Sequence, residues 1–555
     1  MGISRAFLCQ LARKSTQARV VYLNRYKFSL IAVCSLTWMV SACGGAPDQQ
    51  GASPPGVESP AAEWPSGDEQ GAAQAPAGEE APPAQTPPSE EGSATESGSA
   101  GAPGGTGAQA TPAPVSYTRE WVVSPNGNDA SSGTASAPLR TISRAISLAK
   151  PGNLIRVLAG NYAERLLING SVQAGTTTQP ITLKGEGNPH IIPGSQSGAL
   201  VMIEKPNWIL RGLNVDLQGR AAYGVVFAGT VTGSLLADSK VHHGKFGAGV
   251  SFHRNANGGT LENNHIHDIY IAPGEDAHGV LLQPTAKNIT IRNNVIHGNS
   301  GDGIQCYAED GSVPAEPASN VLIEGNDVYG NYEQSLDIKT CQNLTVRRNR
   351  MHDNEVRGNG AVVVHMSAKN ILFEENEFYN SGVGIGIGGI RFGPMPTGVV
   401  IQRNRFHDMH TTGGWEGAGV HLENSESAVI LNNTFTRLPG PGVSLGAGEG
   451  GPTSNLMVKN NLFDVANAVK VGSQAPGLKL NNNLYRPGAT FRRTGTSMDF
   501  SKWKGLGFDA NSVQADPQLN ASTLVPGPAA IDRGESVNLG YCGAAPDIGA
   551  VETGC

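Results

Sequence analysis

From Glu262 to Gly488 the hydrophobic and polar positions follow a short alternating pattern that returns along the chain. Stretches such as "NITIRNN" and "NVLIEGN" alternate apolar and polar residues and then end on asparagine or glycine. Alternation with a period of two predicts short β-strands with one buried face, and the Gly, Asn and Asp clusters predict turns between them. The pattern therefore indicates many short strands without helices between them.

One asparagine marks the same point in nine successive units of this pattern. The units, among them "ENNHIHDI", "RNNVIHGN" and "EGNDVYGN", place these asparagines 22 to 32 residues apart. Units of this length with several short strands predict a parallel β-solenoid, in which equivalent side chains stack about 4.8 Å apart. We expect the asparagines to form an internal ladder that satisfies the backbone of the turns. They are Asn264, Asn294, Asn326, Asn349, Asn376, Asn404, Asn433, Asn461 and Asn483.

The segments on either side of the repeats have patterns of their own. Between Trp121 and Glu164, Thr141 is a candidate N-cap for a short helix that ends before "PG". We expect this helix to cover the open end of the solenoid. Its apolar residues at helical spacing are Ile142, Ala145, Ile146 and Ala149.

The repeats, the segment Trp121 to Glu164, and the later stretches "PAAIDRG" and "PDIGAVE" resemble the right-handed β-helix of pectate lyases and their relatives. The resemblance covers roughly Ser116 to Cys555. It implies an all-β, right-handed parallel β-helix with an N-terminal capping helix and a C-terminal capping segment. We expect residues 117–490 to form the β-helix and 491–555 the cap. Because this fold supports many reactions, the function has to come from the side chains.

The N-terminus has the pattern of an export signal. Basic residues precede the apolar run "FSLIAVCSLTWMV", and "VSAC", which ends at Cys43, resembles the lipobox of bacterial lipoproteins. The resemblance implies a signal peptide over residues 1–43 and a lipid on Cys43. An uncleaved signal anchor is the alternative. Residues 44–116, rich in Pro, Gly, Ala, Ser and Glu, are expected to be a disordered tether.

These features predict an exported protein, lipid-anchored to the bacterial cell envelope at the outer membrane or cell surface. We expect the lipid to be its only contact with the membrane. A net charge of -7 and 16% charged residues against 73 glycines exclude a basic nucleic-acid binder and a highly charged disordered protein. We expect no nucleic-acid partner, and a monomer.

Four cysteines remain in the predicted β-helix and cap, and an exported chain can oxidise them. They allow three pairings. We prefer Cys542 with Cys555, which leaves Cys306 and Cys341.

One position of the repeat is shared by histidine and tyrosine. The histidines suggest a metal cluster, but the tyrosines at the same position indicate a structural stack instead. The residues are His242, His267, His297, Tyr329, His352, Tyr379 and His407.

Five strands carry the candidate chemistry: "GVLLQ", "GIQCY", "SLDIK", "VVVH" and "GVHLE". With a period of two, Val280, Leu282, Ile304, Cys306, Leu336, Ile338, Val420 and Leu422 point inward. The outward columns are then Leu281, Gln305, Asp337, Val363, His421 and Gln283, Tyr307, Lys339, His365, Glu423. Asp337 and Lys339 therefore share the outer face of one strand.

Carboxylates also lie in the turns that lead into these strands, at Asp276, Asp302 and Glu333. Together with Asp337 they could bind a hard, oxygen-seeking cation such as Ca²⁺. The pair "DGIQ" and "LDIK" is similar to strand motifs of calcium-dependent pectate lyases that use a lysine base.

This similarity implies β-elimination on an acidic, uronate polysaccharide, with Lys339 removing the C5 proton and Tyr307 and His365 beside it. A lysine acts as a base only when neutral, a form that nearby positive charge favours and a negative Asp337 opposes. The expected substrate-binding residues are Gln305, His421 and Glu423.

Other interpretations remain open at this stage. Asp337 and Lys339 could be a surface ion pair worth about 0.2 to 1 kcal/mol. The protein could bind glycans or act as a surface scaffold without catalysis, or it could be a uronan C5-epimerase, which shares the proton abstraction. "DAHG" is a partial echo of the Asp-Pro-His-Glu motif of alginate epimerases. A pectin hydrolase is disfavoured because its ordered aspartates, histidine and Arg-x-Lys strand are not found.

Overall fold

The computed structural model describes residues 116–555 except 196–197, 221–222, 274, 309–312, 355–359, 389–393, 413–414, 447–452 and 473–474. The predicted signal peptide, Cys43 and almost all of the predicted tether lie outside the described residues.

Short strands form three sheets of 14 strands each, which we number in the order in which the chain visits them. Sheet 1 contains β1 (Arg119–Val123), β2 (Asn153–Val157), β5 (Ile181–Gly185), β8 (Trp208–Arg211), β11 (Leu235–Ala237), β14 (Thr260–Glu262), β17 (Lys287–Arg292), β20 (Ser319–Glu324), β23 (Gln342–Arg347), β26 (Lys369–Glu374), β29 (Thr397–Gln402), β32 (Val429–Leu431), β35 (Met457–Lys459) and β38 (Lys479–Asn481).

Sheet 2 contains β3 (Asn161–Ala163), β6 (His190–Ile192), β9 (Asn214–Asp216), β12 (Lys240–Gly244), β15 (His265–Ile269), β18 (Val295–His297), β21 (Asp327–Tyr329), β24 (Arg350–Asn354), β27 (Glu377–Ser381), β30 (Arg405–His407), β33 (Thr434–Thr436), β36 (Leu462–Asp464), β39 (Leu484–Tyr485) and β42 (Val513–Gln514).

Sheet 3 contains β4 (Leu166–Ile168), β7 (Val201–Ile203), β10 (Tyr223–Phe227), β13 (Ala248–Phe252), β16 (His278–Leu282), β19 (Ile304–Cys306), β22 (Leu336–Ile338), β25 (Val362–Val364), β28 (Val383–Ile387), β31 (Ala418–Leu422), β34 (Val443–Leu445), β37 (Asn467–Val471), β40 (Thr490–Arg493) and β41 (Thr496–Met498). Neighbouring strands are parallel, except that β40 and β41 pair antiparallel. The prediction of an all-β parallel β-helix is confirmed.

The core runs the length of the solenoid between the three sheets. The eight residues predicted to point inward on sheet 3 are all fully buried. Equivalent side chains on successive rungs stack in columns inside the core. In one column the rings of Phe378, Phe406, Phe435 and Phe463 lie with neighbouring centroids 4.9 to 5.0 Å apart. Each aromatic pair adds about 0.5 to 1.5 kcal/mol beyond the area that it buries.

The asparagine ladder is confirmed. The Asn294 side-chain amide donates to Asn326 Oδ1 at 2.9 Å and also to the backbone carbonyl of Leu261 at 3.2 Å. The same bonds recur along the ladder as far as Asn483, so the side chains satisfy turn backbone that would otherwise be buried without partners. Before each ladder asparagine the chain takes a left-handed turn, as at Asn293 with φ 56°.

Both ends of the solenoid are covered. Helix α1 (Ile142–Leu148) packs against β1, β2 and β4, and the Thr141 side chain caps it by accepting from the backbone N–H of Arg144, as predicted. At the other end, α2 (Phe500–Gly505) buries Trp503 completely. Neither helix of the described chain is long and apolar enough to cross a membrane.

Two disulfides connect neighbouring parts of the chain. The preferred pair Cys542–Cys555 is confirmed, and the remaining two cysteines form the bond Cys306–Cys341.

Candidate functional site

The first predicted outward column lies on the outer face of sheet 3. Leu281, Gln305, Asp337 and Val363 are in register on β16, β19, β22 and β25. The sequence alignment omitted one strand, because β28 lies between β25 and β31 and places Gly386 between Val363 and His421. His421 is therefore one rung further from Asp337 than expected.

Backbone hydrogen bonds continue this register into the second column. The N–H of Tyr307 donates to Leu282 O at 2.9 Å, that of Lys339 to Cys306 O at 3.3 Å, and that of His365 to Ile338 O at 3.0 Å. Tyr307, Lys339 and His365 therefore occupy successive rungs, as predicted from the strand pattern.

A buried polar network lies on the outer face at these rungs. The Gln305 side-chain amide donates to Asp302 Oδ2 at 3.0 Å, and its nitrogen also lies 3.4 Å from Asp337 Oδ2. His365 Nε2 lies 2.7 Å from Asp337 Oδ1. Asp302 is 0%, Gln305 2%, His365 3% and Asp337 6% exposed. The outward residues Ser251 and Leu281 of the same sheet are buried too, so the site is set apart by having buried carboxyl groups and an imidazole together.

His278, which the sequence prediction did not include, belongs to the same network. Its Nδ1 accepts the backbone N–H of Asp302 at 3.0 Å and lies 3.5 Å from Asp302 Oδ2. Burial lowers the pKa of His278 from 6.5 to about 4. The imidazole is therefore neutral at neutral pH, with its proton on Nε2.

The pKa values of Asp302 and Asp337 are shifted in opposite directions. Burial raises the pKa of Asp302 well above its ordinary value, and the charge of neighbouring carboxylates acts the same way. Those carboxylates are Asp337, Glu333 and Asp276.

Burial opposes ionisation of Asp337 too, but the charge and hydrogen bond of His365, together with Lys339 and His278, outweigh it and lower its pKa. Neighbouring carboxyl groups whose pKa values are shifted in opposite directions are typical of catalytic sites.

The four predicted calcium ligands are neighbours but are not gathered around one point. Asp276 is exposed, Glu333 is half-buried, and Asp302 and Asp337 are buried. In the described chain, the groups of three or more His, Cys, Asp or Glu whose ligand atoms all lie within 4.8 Å of one another are both on sheet 2. The donor chemistry still suits a hard cation, because Gln305 Oε1 is buried without a hydrogen-bond partner, and the nitrogen of the same amide contacts the carboxylates of Asp302 and Asp337.

Lys339 and Tyr307 border this network from the half-buried second column. The positive charge of Lys339 acts on both Asp337 and His278. The predicted base is therefore electrostatically coupled to the buried acid and to the added histidine.

The two remaining predicted binding residues form a separate part of the face. His421 Nε2 lies 2.8 Å from Glu423 Oε1, and β31 is three strands beyond β22, which corresponds to about 14 Å. The Trp415 ring packs edge-on to His421 at 5.4 Å and lies over Gly386, where a Cβ would come within 3.1 Å of it. Trp415 was missed because it lies in the segment before β31 and not in a strand.

On sheet 2 the predicted His/Tyr stack is confirmed. Its neighbouring rings lie 4.3 to 5.3 Å apart and within 15° of parallel. This column belongs to a different face from the polar network of sheet 3.

Comparisons with known proteins agree with the architecture. A family model described as "Pel9A-like, right handed beta helix region" matches residues 121–318, and one described as "Right handed beta helix region" matches residues 308–393 and 358–489. "Uncharacterized protein YwoF" of Bacillus subtilis (strain 168) is 24% identical over 448 residues, which are 72% of this chain and 88% of the relative.

Two solved structures illustrate the likeness. Pectate lyase Pel9A is 18% identical, with 79% of this chain and 97% of that chain covered and a TM-score of 0.35. The A-module of the Azotobacter vinelandii mannuronan C-5 epimerase AlgE6 is 18% identical, with 67% and 93% covered and a TM-score of 0.37.

Proposed function

We propose that this chain, whose residues 121–318 match a Pel9A-like right-handed β-helix family model, is a lyase that cleaves an acidic, uronate-containing polysaccharide by β-elimination. The substrate lies along the outer face of sheet 3. The observation that carries the proposal is the buried network of Asp302, Gln305, Asp337 and His365 beside Lys339.

A surface ion pair does not account for this arrangement. Asp337 is 6% exposed and contacts His365, so it is not the solvent-exposed carboxylate that a simple surface pair with Lys339 would require. Burying charged groups costs free energy, and groups whose pKa values are shifted by burial cluster at functional sites.

In the proposed reaction, Lys339 Nζ takes the proton from C5 of a uronate. The electron pair of that C–H bond forms the C4=C5 double bond, and the bond from C4 to the glycosidic oxygen breaks. The leaving oxygen takes up a proton, for which the Tyr307 hydroxyl, one rung from Lys339, is the proposed donor. His365 keeps Asp337 ionised and in place, and Trp415, His421 and Glu423 hold sugars further along the face.

A calcium ion is the proposed cofactor. Asp302, Gln305 and Asp337 would hold it, with Asp276 and Glu333 at the rim. When bound, it would supply positive charge for the substrate carboxylate.

The test is an ultraviolet assay for unsaturated products over a panel of uronans. Lys339→Ala should lose several orders of magnitude in rate while sugar binding persists, because the base acts chiefly in the transition state. Lys339→Arg should not restore the rate, since a guanidinium stays protonated and cannot act as the base. Lys459→Ala, which removes a lysine paired with Glu535 far from this face, is the matched control and should keep full rate.

Other products would assign another activity. Inversion at C5 without cleavage identifies an epimerase, and binding without turnover identifies a glycan-binding protein. Wild-type turnover in Lys339→Ala would return Asp337 and Lys339 to a structural role. Chelation of calcium should abolish activity without unfolding the chain.

A further inference from the structure

One histidine of sheet 2, His265, lies beside the His/Tyr stack and not within it. The His/Tyr stack uses one residue per rung, and His242, His267 and His297 are in register within it. His265 lies two residues before His267 on β15 and is in register with Lys240 and Val295. His265 therefore adds a further imidazole beside the stack at this rung.

The imidazoles at this point converge. His265 Nε2 lies 2.7 Å from His297 Nε2, and the rings of His265 and His267 are 4.2 Å apart. One ligand nitrogen from each of the three residues lies within 4.8 Å of the other two. All three side chains are half-buried, so an ion from solvent can reach them.

A carboxylate orients one of these rings. His267 Nδ1 lies 2.7 Å from Asp268 Oδ2, so Nδ1–H donates and Nε2 keeps its lone pair. A carboxylate behind an imidazole is the usual support of a metal-binding histidine.

We propose that His265, His267 and His297 bind a divalent transition-metal ion of the zinc class, with water as the remaining ligand. Three imidazoles and an open position suit Zn²⁺, and also Cu²⁺ or Ni²⁺, better than Ca²⁺ or Mg²⁺. Nitrogens bound to one tetrahedral zinc at about 2.0 Å are about 3.3 Å apart. The close pair needs to open by only about 0.6 Å, and the proton between the two rings must move to another nitrogen or leave.

The other histidines of the stack show what a purely structural role looks like. His352 has carboxylate partners on both ring nitrogens, Asp353 at 2.7 Å and Asp327 at 2.9 Å. His407 is held in the same way by Asp408 and Glu377. Both nitrogens of these rings are engaged, so they offer no ligand atom, in contrast to the group around His265.

Some charges near the three histidines oppose the binding of a cation and others favour it. Lys240, in register with His265, opposes a cation, whereas Asp268 and Asp327 interact favourably with the histidines. The adjacent group of Asp216, His242 and His243 is joined to it by the 5.1 Å stacking of His242 on His267. The proposal concerns the three-histidine group of His265, His267 and His297.

The test is calorimetric titration of Zn²⁺ into the full chain without an affinity tag. Wild type should bind zinc, and His265→Gln should weaken the tightest event at least about tenfold. The matched control is His352→Gln, which changes a stack member outside the group and should stay within about twofold. X-ray absorption of the zinc complex should show imidazole nitrogens at about 2.0 Å.

Two variants separate this site from its surroundings. Asp302→Asn, in the sheet 3 network, should leave zinc binding unchanged, whatever it does to lyase activity. Lys240→Gln should tighten binding, and it does so without removing a ligand, so it remains informative if His265→Gln folds poorly. Equal affinity in wild type and His265→Gln, or no binding at millimolar zinc, would overturn the proposal.

Discussion

Replacing Asp337 by Asn tests whether the buried network holds sheet 3 together at the site. The 2.7 Å contact between Asp337 and His365 joins side chains that are 6% and 3% exposed, so solvent screens it little. Breaking a buried ion pair by removing one charge costs about 3 to 5 kcal/mol, whereas an exposed pair is worth about 0.2 to 1 kcal/mol. We expect Asp337→Asn to fall in the first range at neutral pH.

The dependence on pH has a definite sign. The folded-state pKa of Asp337 is lowered, so its contribution is fully present above the ordinary value of 3.8 and is lost as the pH falls through the lower folded-state value. The difference in opening free energy between wild type and Asp337→Asn should therefore be constant from about pH 5 to about pH 7 and shrink below about pH 4.

The assay is native-state hydrogen exchange, because a long solenoid need not unfold in one step. Peptides that cover β22 and β25 report the local opening free energy. Glu377→Gln is the matched control: it breaks the 3.1 Å contact with His407 on sheet 2, where Glu377 is 32% exposed, and should cost less than about 1 kcal/mol. A loss of that small size for Asp337→Asn as well would refute the buried-pair reasoning.

Three further outcomes are expected. Asn349→Ala should lower the opening free energy by about 2 to 4 kcal/mol, because it leaves a backbone N–H and a side-chain amide of Asn326 without their acceptor. Asn343→Ala, which removes an exposed side-chain bond to Asn320, is the control and should cost less than about 1 kcal/mol; hydrogen exchange measures both. Trp415→Ala should raise KM about tenfold with little change in kcat if the ring holds sugar away from the base, as steady-state kinetics would reveal. Cys43→Ser should move the protein from membranes to a soluble fraction on cell fractionation, and continued tight association would indicate an uncleaved anchor.

The columns of sheet 3 were predictable because alternation with a period of two and the asparagine spacing together set the register of each strand. The alignment failed at β28, where Gly386 and Gly388 occupy the outward positions and offer no side chain to compare. Glycine there makes room for Trp415, a contact that only the folded chain reveals.

The burial of the site could not be predicted in the same way. Outward position predicts exposure, yet Gln305 and Asp337 are buried, with hydrogen-bond partners in Asp302 and His365. His278 was missed because its contact is with the backbone of Asp302, which the sequence pattern does not encode.

The asparagine ladder also determines how this protein can change length. Each ladder side chain bonds to its counterpart on the next rung and to a nearby backbone carbonyl, so a whole rung can be duplicated or deleted with the same hydrogen bonds on either side. A rung gained beyond β28 would leave the four strands β16 to β25 intact and extend the outer face by about 4.8 Å, close to the length of one sugar. The number of rungs would therefore set how long a stretch of polymer the outer face of sheet 3 can bind.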